Sequence, residues 1–260
     1  MFKDLGNVRI AYDVFGSGTP IILVGGFGAN RRFWKNAIPL LDGFTIVTMD
    51  ARGVGETEYE GEFTLDDIAD DAVTLMHSFG FDRFYAIGWS MGTGILQSLS
   101  ARYPEKVIAQ ALVSTFSHCP ARSAYILGEF TRMINEGSAT MESLCVAVNA
   151  FCFPESVFEK YQSEGKVMPV PHHMGKPKGL SDQLKATFSF DPESYLPRIT
   201  SPTIVVQGTE DIMTPFYKGE AVHNKVTGSE IFAVEGAGHT ISPESYMSQV
   251  LDFFRRRTGL

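Results

Sequence analysis

"AIGWSMGTG", residues 86–94, places Ser90 between two glycines in a G-x-S-x-G pattern. The apolar run 83–89 ends directly before this serine, and a helical pattern that extends to residue 103 follows it. A serine between a strand and a helix is the setting of a nucleophile elbow, a tight turn in which flanking glycines let the strand and the helix approach. The motif alone is a hypothesis, because a chain with 25 glycines forms such patterns by chance. Other parts of the sequence must supply the partners that a serine nucleophile needs.

Strand-like and helix-like patterns alternate along most of the chain. The short β-branched runs predict strands at 7–15, 20–26, 44–50, 83–89, 107–115, 203–208 and 230–236. Residues 16–18 are expected to join the first two strands as a hairpin. Several strands are almost wholly apolar, as are the strands of a parallel sheet that is covered on both faces. The pattern predicts an α/β fold with a mostly parallel, doubly wound sheet.

Three helices have recognisable ends. Thr64, followed by Asp67 three residues later, predicts a capping box at the start of a helix over 64–80. A second helix is predicted from residue 94 until Pro104 ends it. Near the end of the chain, Ser242 is expected to cap a helix whose first residue is Pro243.

Residues 116–191 interrupt the alternation of strands and helices. This segment has no convincing strand pattern; apolar helical stretches at 123–137 and 141–153 precede a loop rich in proline, histidine and glycine at 168–179. We expect a helical insertion that packs over one edge of the sheet as a cap. Residues 1–115 and 192–260 are then expected to form the core domain.

Charge and composition limit the partners that the chain can have. The net charge is −8, and the basic residues are scattered apart from 255–257, which complement the dipole at the end of a predicted helix. Nucleic-acid binding is therefore not expected. The N-terminus lacks the pattern of a signal peptide and no apolar run approaches a membrane span, so we expect a cytoplasmic protein without membrane association. A monomer and a homodimer are both compatible with the sequence.

Nucleotide and metal sites are not indicated. The chain contains neither G-x-G-x-x-G nor G-x-x-x-x-G-K-[ST], since the glycine pairs 26/28 and 53/55 lack the third glycine at the required spacing. The cysteines, at 119, 145 and 152, form no C-x-x-C and lie in one apolar region, so we expect buried thiols.

A serine nucleophile needs a base, and His239 is the best of six histidines. It stands in "VEGAGHTISPE" (234–244), a glycine-rich loop between the last strand and the last helix, where a parallel sheet places its functional ends. His77 and His223 fall in predicted helices and are expected to be structural. His118, His172 and His173 fall in the predicted cap, where they could contact substrate, although packed or solvated positions are the more common outcome.

The base needs an acid, and "IVVQGTEDIMTP" (204–215) offers two. Asp211 and Glu210 both follow the strand 203–208. Successive side chains point in different directions, so only one can reach the imidazole; we favour Asp211 and keep Glu210 as its rival. An acid could also follow the strand 107–115. That position holds only Ser114, Thr115 and Phe116, none of which has a carboxylate.

Ser90, Asp211 and His239 occur in the chain order nucleophile, acid, base, and the chain resembles the α/β-hydrolase superfamily over nearly its whole length. The predicted N-terminal hairpin, "ILVGGFGAN" (22–30), "MDARGVGET" (49–57), the elbow, "GTEDIMTP" (208–215) and "GAGHTISPE" (236–244) match that family in order. The resemblance, which is nearest to the small-esterase and enol-lactonase branch, implies the α/β-hydrolase fold with the helical cap inserted after the sixth strand.

The resemblance also implies an oxyanion hole made by the backbone N–H groups of Met91 and Phe27. Many relatives carry His-Gly where this chain has Gly25 and Gly26, so the loop must be braced in another way. The glycine-rich segment could also be only a tight turn. Trp89, next to the nucleophile, is a candidate substrate-binding residue, although it could equally pack inward.

These residues predict a serine hydrolase that cleaves a carboxylic ester or lactone of a small, largely apolar substrate through an acyl-enzyme. No metal or organic cofactor is needed. The same residues would serve a carbon–carbon bond hydrolase, a cofactor-free haloperoxidase, an acyltransferase or a receptor-like protein that turns its ligand over slowly. The serine excludes relatives that use aspartate as the nucleophile, the haloalkane dehalogenases and epoxide hydrolases.

Overall fold

The computed structural model describes residues 1–169 and 175–260. Within these residues, a nine-stranded sheet has the order β1-β2-β4-β3-β6-β7-β8-β9, and β5 pairs with β2. The strands are β1 (Phe2–Asp4), β2 (Val8–Gly16), β3 (Thr19–Val24), β4 (Phe44–Met49), β5 (Glu58–Tyr59), β6 (Phe84–Trp89), β7 (Val107–Val113), β8 (Thr203–Gly208) and β9 (Glu230–Val234). All pairs from β4 to β9 are parallel, which confirms the predicted fold class.

Eight α-helices lie in the described residues. They are α1 (Leu65–His77), α2 (Met91–Arg102), α3 (Ala121–Asn135), α4 (Met141–Cys152), α5 (Glu155–Ser163), α6 (Pro177–Ser189), α7 (Phe216–Lys225) and α8 (Met247–Thr258). The capping box of α1 forms as predicted, because the Asp67 N–H donates to Thr64 Oγ1 at 3.2 Å and the Thr64 N–H donates to Asp67 Oδ2 at 2.7 Å.

The predicted hairpin between β2 and β3 is wrong. Strand β2 pairs antiparallel with β4, and β3 lies on the far side of β4. The connection crosses the start of β4 at close range: the Thr19 N–H donates to the Gly43 carbonyl at 3.1 Å, and a Cβ on Gly18 (φ +123°) would lie 2.1 Å from that same oxygen. The glycines therefore carry the chain over β4 rather than back along β2.

Each face of the sheet is covered by helices, as a doubly wound sheet requires. Along β3, Ile22 and Val24 pack with α1 and α2, whereas Ile21 and Leu23 pack with α8 and the 3₁₀ turn at Arg31–Asn36. All four side chains are fully buried. Burial on alternate sides explains why the strands are almost continuously apolar in sequence.

Helices α3 to α6 occupy the segment between β7 and β8 that was predicted to be helical. In chain order this segment follows the seventh strand rather than the sixth. Five of the preceding strands were predicted from the sequence, and the short strands β1 and β5 were not. Pro177 starts α6 inside the stretch predicted as a loop, since proline fits the first position of a helix. The remainder of that loop includes 170–174, which lie outside the described residues.

The last predicted helix is divided in two. Ser242 precedes a short 3₁₀ turn at Pro243–Ser245 without capping it by a side-chain bond, and α8 begins only at Met247. Between them, Tyr246 leaves the helical conformation (φ −136°) and is buried. Burial of this ring against the sheet therefore interrupts the helix.

No single helix in the described parts of the chain is long and apolar enough to cross a membrane. Taken together, α4 and α5 have the required length and composition, but the chain bends by 112° between them.

Candidate active site

Ser90 lies on a strained turn between β6 and α2. Its backbone has φ +54° and ψ −121°, a conformation that non-glycine residues rarely adopt. The turn is held by the Ser90 N–H, which donates to the Val113 carbonyl at 2.9 Å. A Cβ on Gly88 would lie 2.7 Å from the Gly92 carbonyl, and a Cβ on Gly92 would lie 2.3 Å from that of Val24. The glycines of the motif are therefore required by close backbone approach, as the sequence predicted.

Ser90, His239 and Asp211 form a continuous hydrogen-bonded line. The Ser90 Oγ lies 2.8 Å from His239 Nε2, and His239 Nδ1 lies 2.9 Å from Asp211 Oδ2. The imidazole is 2% exposed and Asp211 is 4% exposed, whereas Ser90 is only partly buried. A neutral imidazole with its proton on Nδ1 can donate to the carboxylate and accept from the hydroxyl at the same time.

The two acids proposed from the sequence occupy different environments. Asp211 Oδ1 accepts the N–H groups of Met213 and Thr214 at 2.8 Å each, so the carboxylate is locked with Oδ2 facing the imidazole. The Glu210 side chain is exposed, although its backbone N–H donates to the Ala237 carbonyl at 2.9 Å. Only Asp211 reaches His239, because the turn after β8 directs consecutive side chains to opposite sides.

The other described histidines have different neighbours. His77 lies 3.3 Å from Asp82 on the surface, His223 Nδ1 lies 2.9 Å from Ser229 Oγ, and His118 contacts Lys218 and Ser117. Burial and the Lys218 ammonium lower the pKa of His118. His172 and His173 lie outside the described residues.

The loop after β3 comes into contact with the nucleophile. A Cβ on Gly26 would lie 2.9 Å from the Ser90 Cβ and 2.7 Å from the Trp89 ring. Phe27 is the next residue in a turn that is closed by the Ala29 N–H, which donates to the Gly26 carbonyl at 3.1 Å. Met91 is the first residue of α2, so its N–H has no intrahelical acceptor. The backbones of both predicted donors thus lie beside Ser90.

This loop is braced by partners that the sequence did not indicate. The Gly28 N–H donates to Gln183 Oε1 at 3.0 Å, and the Arg31 N–H donates to Asp50 Oδ1 at 2.7 Å. Gln183 belongs to α6, 155 residues further along the chain. A side chain from the inserted helices therefore supports the loop in which relatives carry His-Gly.

A buried hydrogen-bond chain connects the nucleophile turn to the acid. Thr93 Oγ1 donates to the Ser90 carbonyl at 2.7 Å, and Thr115 Oγ1 donates to Thr93 Oγ1 at 2.9 Å. The Thr115 N–H donates to Gln207 Oε1 at 3.0 Å, and Gln207 Nε2 lies 3.3 Å from Asp211 Oδ2. Gln207, a polar residue inside an apolar strand, was the available signal in the sequence, because such a residue needs partners when buried.

Thr214 and Ser114 complete the support of the imidazole. Thr214 Oγ1 lies 2.8 Å from Asp211 Oδ2 and 3.0 Å from His239 Nδ1. Ser114 has φ +53°, and its hydroxyl donates to the His239 carbonyl at 2.7 Å. Although Ser114 cannot act as the acid, it fixes the loop that carries the base.

Trp89, predicted to bind substrate, contacts other protein groups in the structure. Its Nε1–H donates to the His239 carbonyl at 3.0 Å, and its ring stacks on Phe33 with centroids 4.3 Å apart. The side chain is partly exposed. Trp89 therefore stabilises the loop between β9 and Pro243 that carries His239, called the base loop below, while part of the Trp89 surface stays open to solvent.

The negative charge of Asp211 affects one cysteine. Burial raises the pKa of the Cys152 thiol to about 12, and the Asp211 carboxylate adds to this shift. Cys152 ends α4, and its carbonyl accepts the Thr240 N–H at 2.9 Å, so α4 contacts the base loop. In residues 1–169 and 175–260, no group of three or more His, Cys, Asp or Glu side chains is arranged to hold a metal ion.

Comparison with known proteins agrees with this fold. The protein-family profile described as alpha/beta hydrolase fold matches residues 19–246. A pimeloyl-[acyl-carrier protein] methyl ester esterase of Neisseria meningitidis is 26% identical over 227 residues, covering 84% of this chain and 86% of that protein.

Two solved structures share the fold. The enol-lactonase of Burkholderia xenovorans LB400 superposes with a TM-score of 0.86 at 20% identity, covering 97% of this chain and 99% of the other. A thermophilic esterase of Thermogutta terrifontis gives a TM-score of 0.82 at 22% identity, covering 98% and 96%. With the profile match over most of its length, this chain belongs to the α/β-hydrolase family.

Proposed function

We propose that this protein is a serine hydrolase that cleaves a carboxylic ester or a lactone of a small, largely apolar molecule through an acyl-enzyme on Ser90. The observation that carries the proposal is the line of two hydrogen bonds, 2.8 and 2.9 Å long, from the Ser90 hydroxyl through His239 to Asp211. Geometry of this kind activates a hydroxyl that is a weak nucleophile by itself.

The reaction begins when His239 Nε2 takes the proton of Ser90 as Oγ attacks the substrate carbonyl. Asp211 holds the imidazole in the required tautomer and stabilises the imidazolium that forms. The backbone N–H groups of Met91 and Phe27 are proposed to bind the oxyanion, and each such donor contributes about 3–4 kcal/mol in comparable sites. His239 then protonates the departing alcohol, and water hydrolyses the acyl-enzyme by the same steps in reverse order.

The inserted helices are proposed to form a cap, residues 116–191, over a core of residues 1–115 and 192–260. In support, Ser123 Oγ on α3 donates to the Met213 carbonyl at 2.5 Å, α4 contacts the base loop, and α6 contacts the loop after β3. Substrate would enter between these helices and the strand ends, where Trp89 is a proposed contact. Apolar cap side chains favour an apolar substrate.

The relatives support an ester or lactone as the substrate class. One similar protein is named as a methyl ester esterase, and one similar structure is an enol-lactonase. Both reactions pass through a tetrahedral oxyanion at a carbonyl carbon, which the proposed site would stabilise.

The test is Ser90→Ala, assayed with nitrophenyl esters of graded acyl length and with lactones. We expect turnover to fall by about 10⁵-fold or more with an unchanged circular dichroism spectrum, because the nucleophile is removed and the fold is retained. A fluorophosphonate probe should label Ser90 alone in the unmodified protein, as mapped by mass spectrometry. Normal turnover in the variant would refute the proposal.

The same panel separates the other reactions that this geometry could support. Vinylogous diketones would be cleaved by a carbon–carbon bond hydrolase, and added alcohols would intercept the acyl group in an acyltransferase. If diketone cleavage or acyl transfer to an alcohol is faster than ester hydrolysis, that reaction would replace ester hydrolysis as the proposed function.

A further inference from the structure

We propose that Gln183 is a positioning residue that sets the oxyanion-binding loop, so that one half of the oxyanion hole depends on a helix of the cap. This inference rests on the proposed function, because it assigns a role in binding the oxyanion of that reaction. It concerns the loop of residues 26–29 and the helix α6.

Gln183 uses both ends of its amide to connect two loops. Its Oε1 accepts the Gly28 N–H at 3.0 Å, and its Nε2 donates to the Arg52 carbonyl at 2.8 Å. The side chain is 0% exposed, so neither bond is exchanged with water. A buried backbone group that loses such a partner is left unsatisfied, which is unfavourable in a dry interior. The contacts therefore strongly favour one position of the loop.

The bond to Gly28 acts next to the proposed donor. The Gly28 N–H belongs to the peptide group that joins Phe27 to Gly28, and the Gly28 backbone has φ +69°. The Phe27 N–H lies one peptide earlier in the same turn, which the Ala29 to Gly26 bond closes. With the turn closed on one side and Gly28 held by Gln183 on the other, the peptide that carries the Phe27 N–H cannot rotate freely.

Helix α6 is itself seated firmly on the core. A Cβ on Gly179 would lie 2.0 Å from the Gly53 carbonyl, so the two backbones are in direct contact. Asp182 Oδ2 accepts the Tyr59 hydroxyl at 2.8 Å. Gln183 is therefore presented from a fixed helix, and its position is transmitted to the loop.

Only an amide of this length satisfies both contacts. Methionine at this position would fill the same volume but would leave the Gly28 N–H and the Arg52 carbonyl without partners. Glutamate would still accept from Gly28, but it would place an oxygen against the Arg52 carbonyl. Because the oxyanion forms only during the reaction, loss of the loop position should lower kcat rather than raise KM.

The experiment compares Gln183→Met with Gln110→Met. Gln110 is also 0% exposed and also joins two groups, accepting from Ser100 Oγ at 2.7 Å and donating to Thr203 Oγ1 at 3.0 Å. It lies within β7, away from the loop, so it is a matched control for the loss of a buried amide. Thermal midpoints of both variants are measured with the kinetics.

We expect Gln183→Met to lower kcat for one nitrophenyl ester by about 10- to 100-fold with KM within twofold, since a misplaced donor loses part of its effect. The affinity for a trifluoromethyl ketone, which forms an oxyanion on a serine, should fall by a similar factor. Gln110→Met should change kcat by less than about threefold. Gln183→Glu keeps the acceptor for the Gly28 N–H, so its kcat should lie between those of Gln183→Met and the unmodified protein. If the methionine variant does not fold, the glutamate variant takes its place and its kcat should lie below that of the unmodified protein.

Unchanged kcat and ketone affinity in the folded Gln183 variants would overturn the inference, as would equal losses in the Gln110 variant. Fluorophosphonate labelling of the unmodified protein distinguishes this failure from failure of the proposed function. If Ser90 is labelled, only the role of Gln183 is refuted; if Ser90 is not labelled, the proposed function itself fails.

Discussion

The line from Ser90 to Asp211 and the loop of residues 26–29 are held in different ways. The line stands on turns that directly follow β6, β8 and β9, and its support comes from Thr93, Thr115, Gln207 and Thr214, most of them fully buried between strands and α2. The loop instead takes its support from Gln183 on α6, inside the segment inserted between β7 and β8. The side chains that bond the line directly therefore belong to the core, although α3 and α4 also contact the loops that carry Asp211 and His239. The loop of residues 26–29 takes a direct bond from an inserted helix.

This difference separates the two parts of the proposed chemistry. In the proposed reaction, activation of the nucleophile would depend mainly on side chains packed in the core. Stabilisation of the oxyanion would depend in part on how the inserted segment docks. Variants in the core should therefore change the rate at which Ser90 reacts with a fluorophosphonate. Variants in α6 should change how well the protein binds the oxyanion of the tetrahedral state.

Among the changes that test this comparison, the largest effect is expected from Asp211→Asn, which breaks the line. An asparagine NH₂ at the position of Oδ2 would require His239 Nδ1 to accept rather than donate, so the proton would move to Nε2 and block the base. We expect kcat to fall by about 10⁴-fold, as for the wrong imidazole tautomer in serine proteases. Ester turnover measured at neutral pH tests this.

Glu210→Gln is the matched control, because Glu210 is adjacent in sequence but exposed. It should retain kcat within about twofold, since surface substitutions of this kind change little. A larger loss in Glu210→Gln than in Asp211→Asn would transfer the role of the acid to Glu210.

A smaller effect is expected from Gly179→Ala, which disturbs the docking of α6. The new methyl group would lie 2.0 Å from the Gly53 carbonyl, so the helix must move away from the loop that it supports. We expect the free energy of unfolding to fall by about 1–3 kcal/mol, the usual cost of overpacking, with kcat lowered more than KM is raised. Urea denaturation and ester kinetics provide the measurement.

Gly128→Ala in α3 serves as the control for this change. A Cβ there has no neighbour within 4 Å, so the substitution should stabilise the protein by about 0.5–1 kcal/mol, as in other helix interiors. Equal effects at both positions would show that the contact between α6 and the core is unimportant.

The smallest effect is expected in the reactivity of the cysteine thiols, which reports on the contact between α4 and the base loop. Burial raises the pKa of Cys119 to about 11 and that of Cys152 to about 12, because it disfavours the charged thiolate. At pH 8 the thiolate fraction of Cys119 should be about 100-fold below that of an ordinary cysteine, and that of Cys152 lower still. The rate of thiol labelling should therefore rise as the pH is raised well above 8. At pH 8 we expect little labelling of these thiols and so no loss of ester turnover.

Iodoacetamide labelling at pH 8, followed by peptide mass spectrometry, measures these rates, with the guanidinium-unfolded protein as the reference. Rapid labelling of Cys152 in the folded protein would mean that α4 leaves the base loop. The inserted segment would then be held loosely at α4.

Sequence patterns predicted much of the fold for identifiable reasons. Strands β3, β6 and β8 are largely buried on both faces, so their apolar runs stand out, and the start of α1 carries a capping box of Thr64 and Asp67. The hairpin prediction failed because Gly16 and Gly18 indicate a turn but not the strand with which the chain pairs afterwards. The split before α8 was missed because the burial of Tyr246 is a tertiary contact.

The candidate site divides in the same manner. Local motifs at the strand ends by themselves determined the choice of Ser90 and His239 and narrowed the acid to two adjacent residues, since a nucleophile elbow requires a fixed spacing of glycines. Only the tertiary structure decided between Asp211 and Glu210, because that choice depends on which side chain the turn after β8 directs inward. It alone joined Gln183 to Gly28, because a hydrogen bond across 155 residues depends on the docking of α6 and leaves no periodic or local signal in the chain.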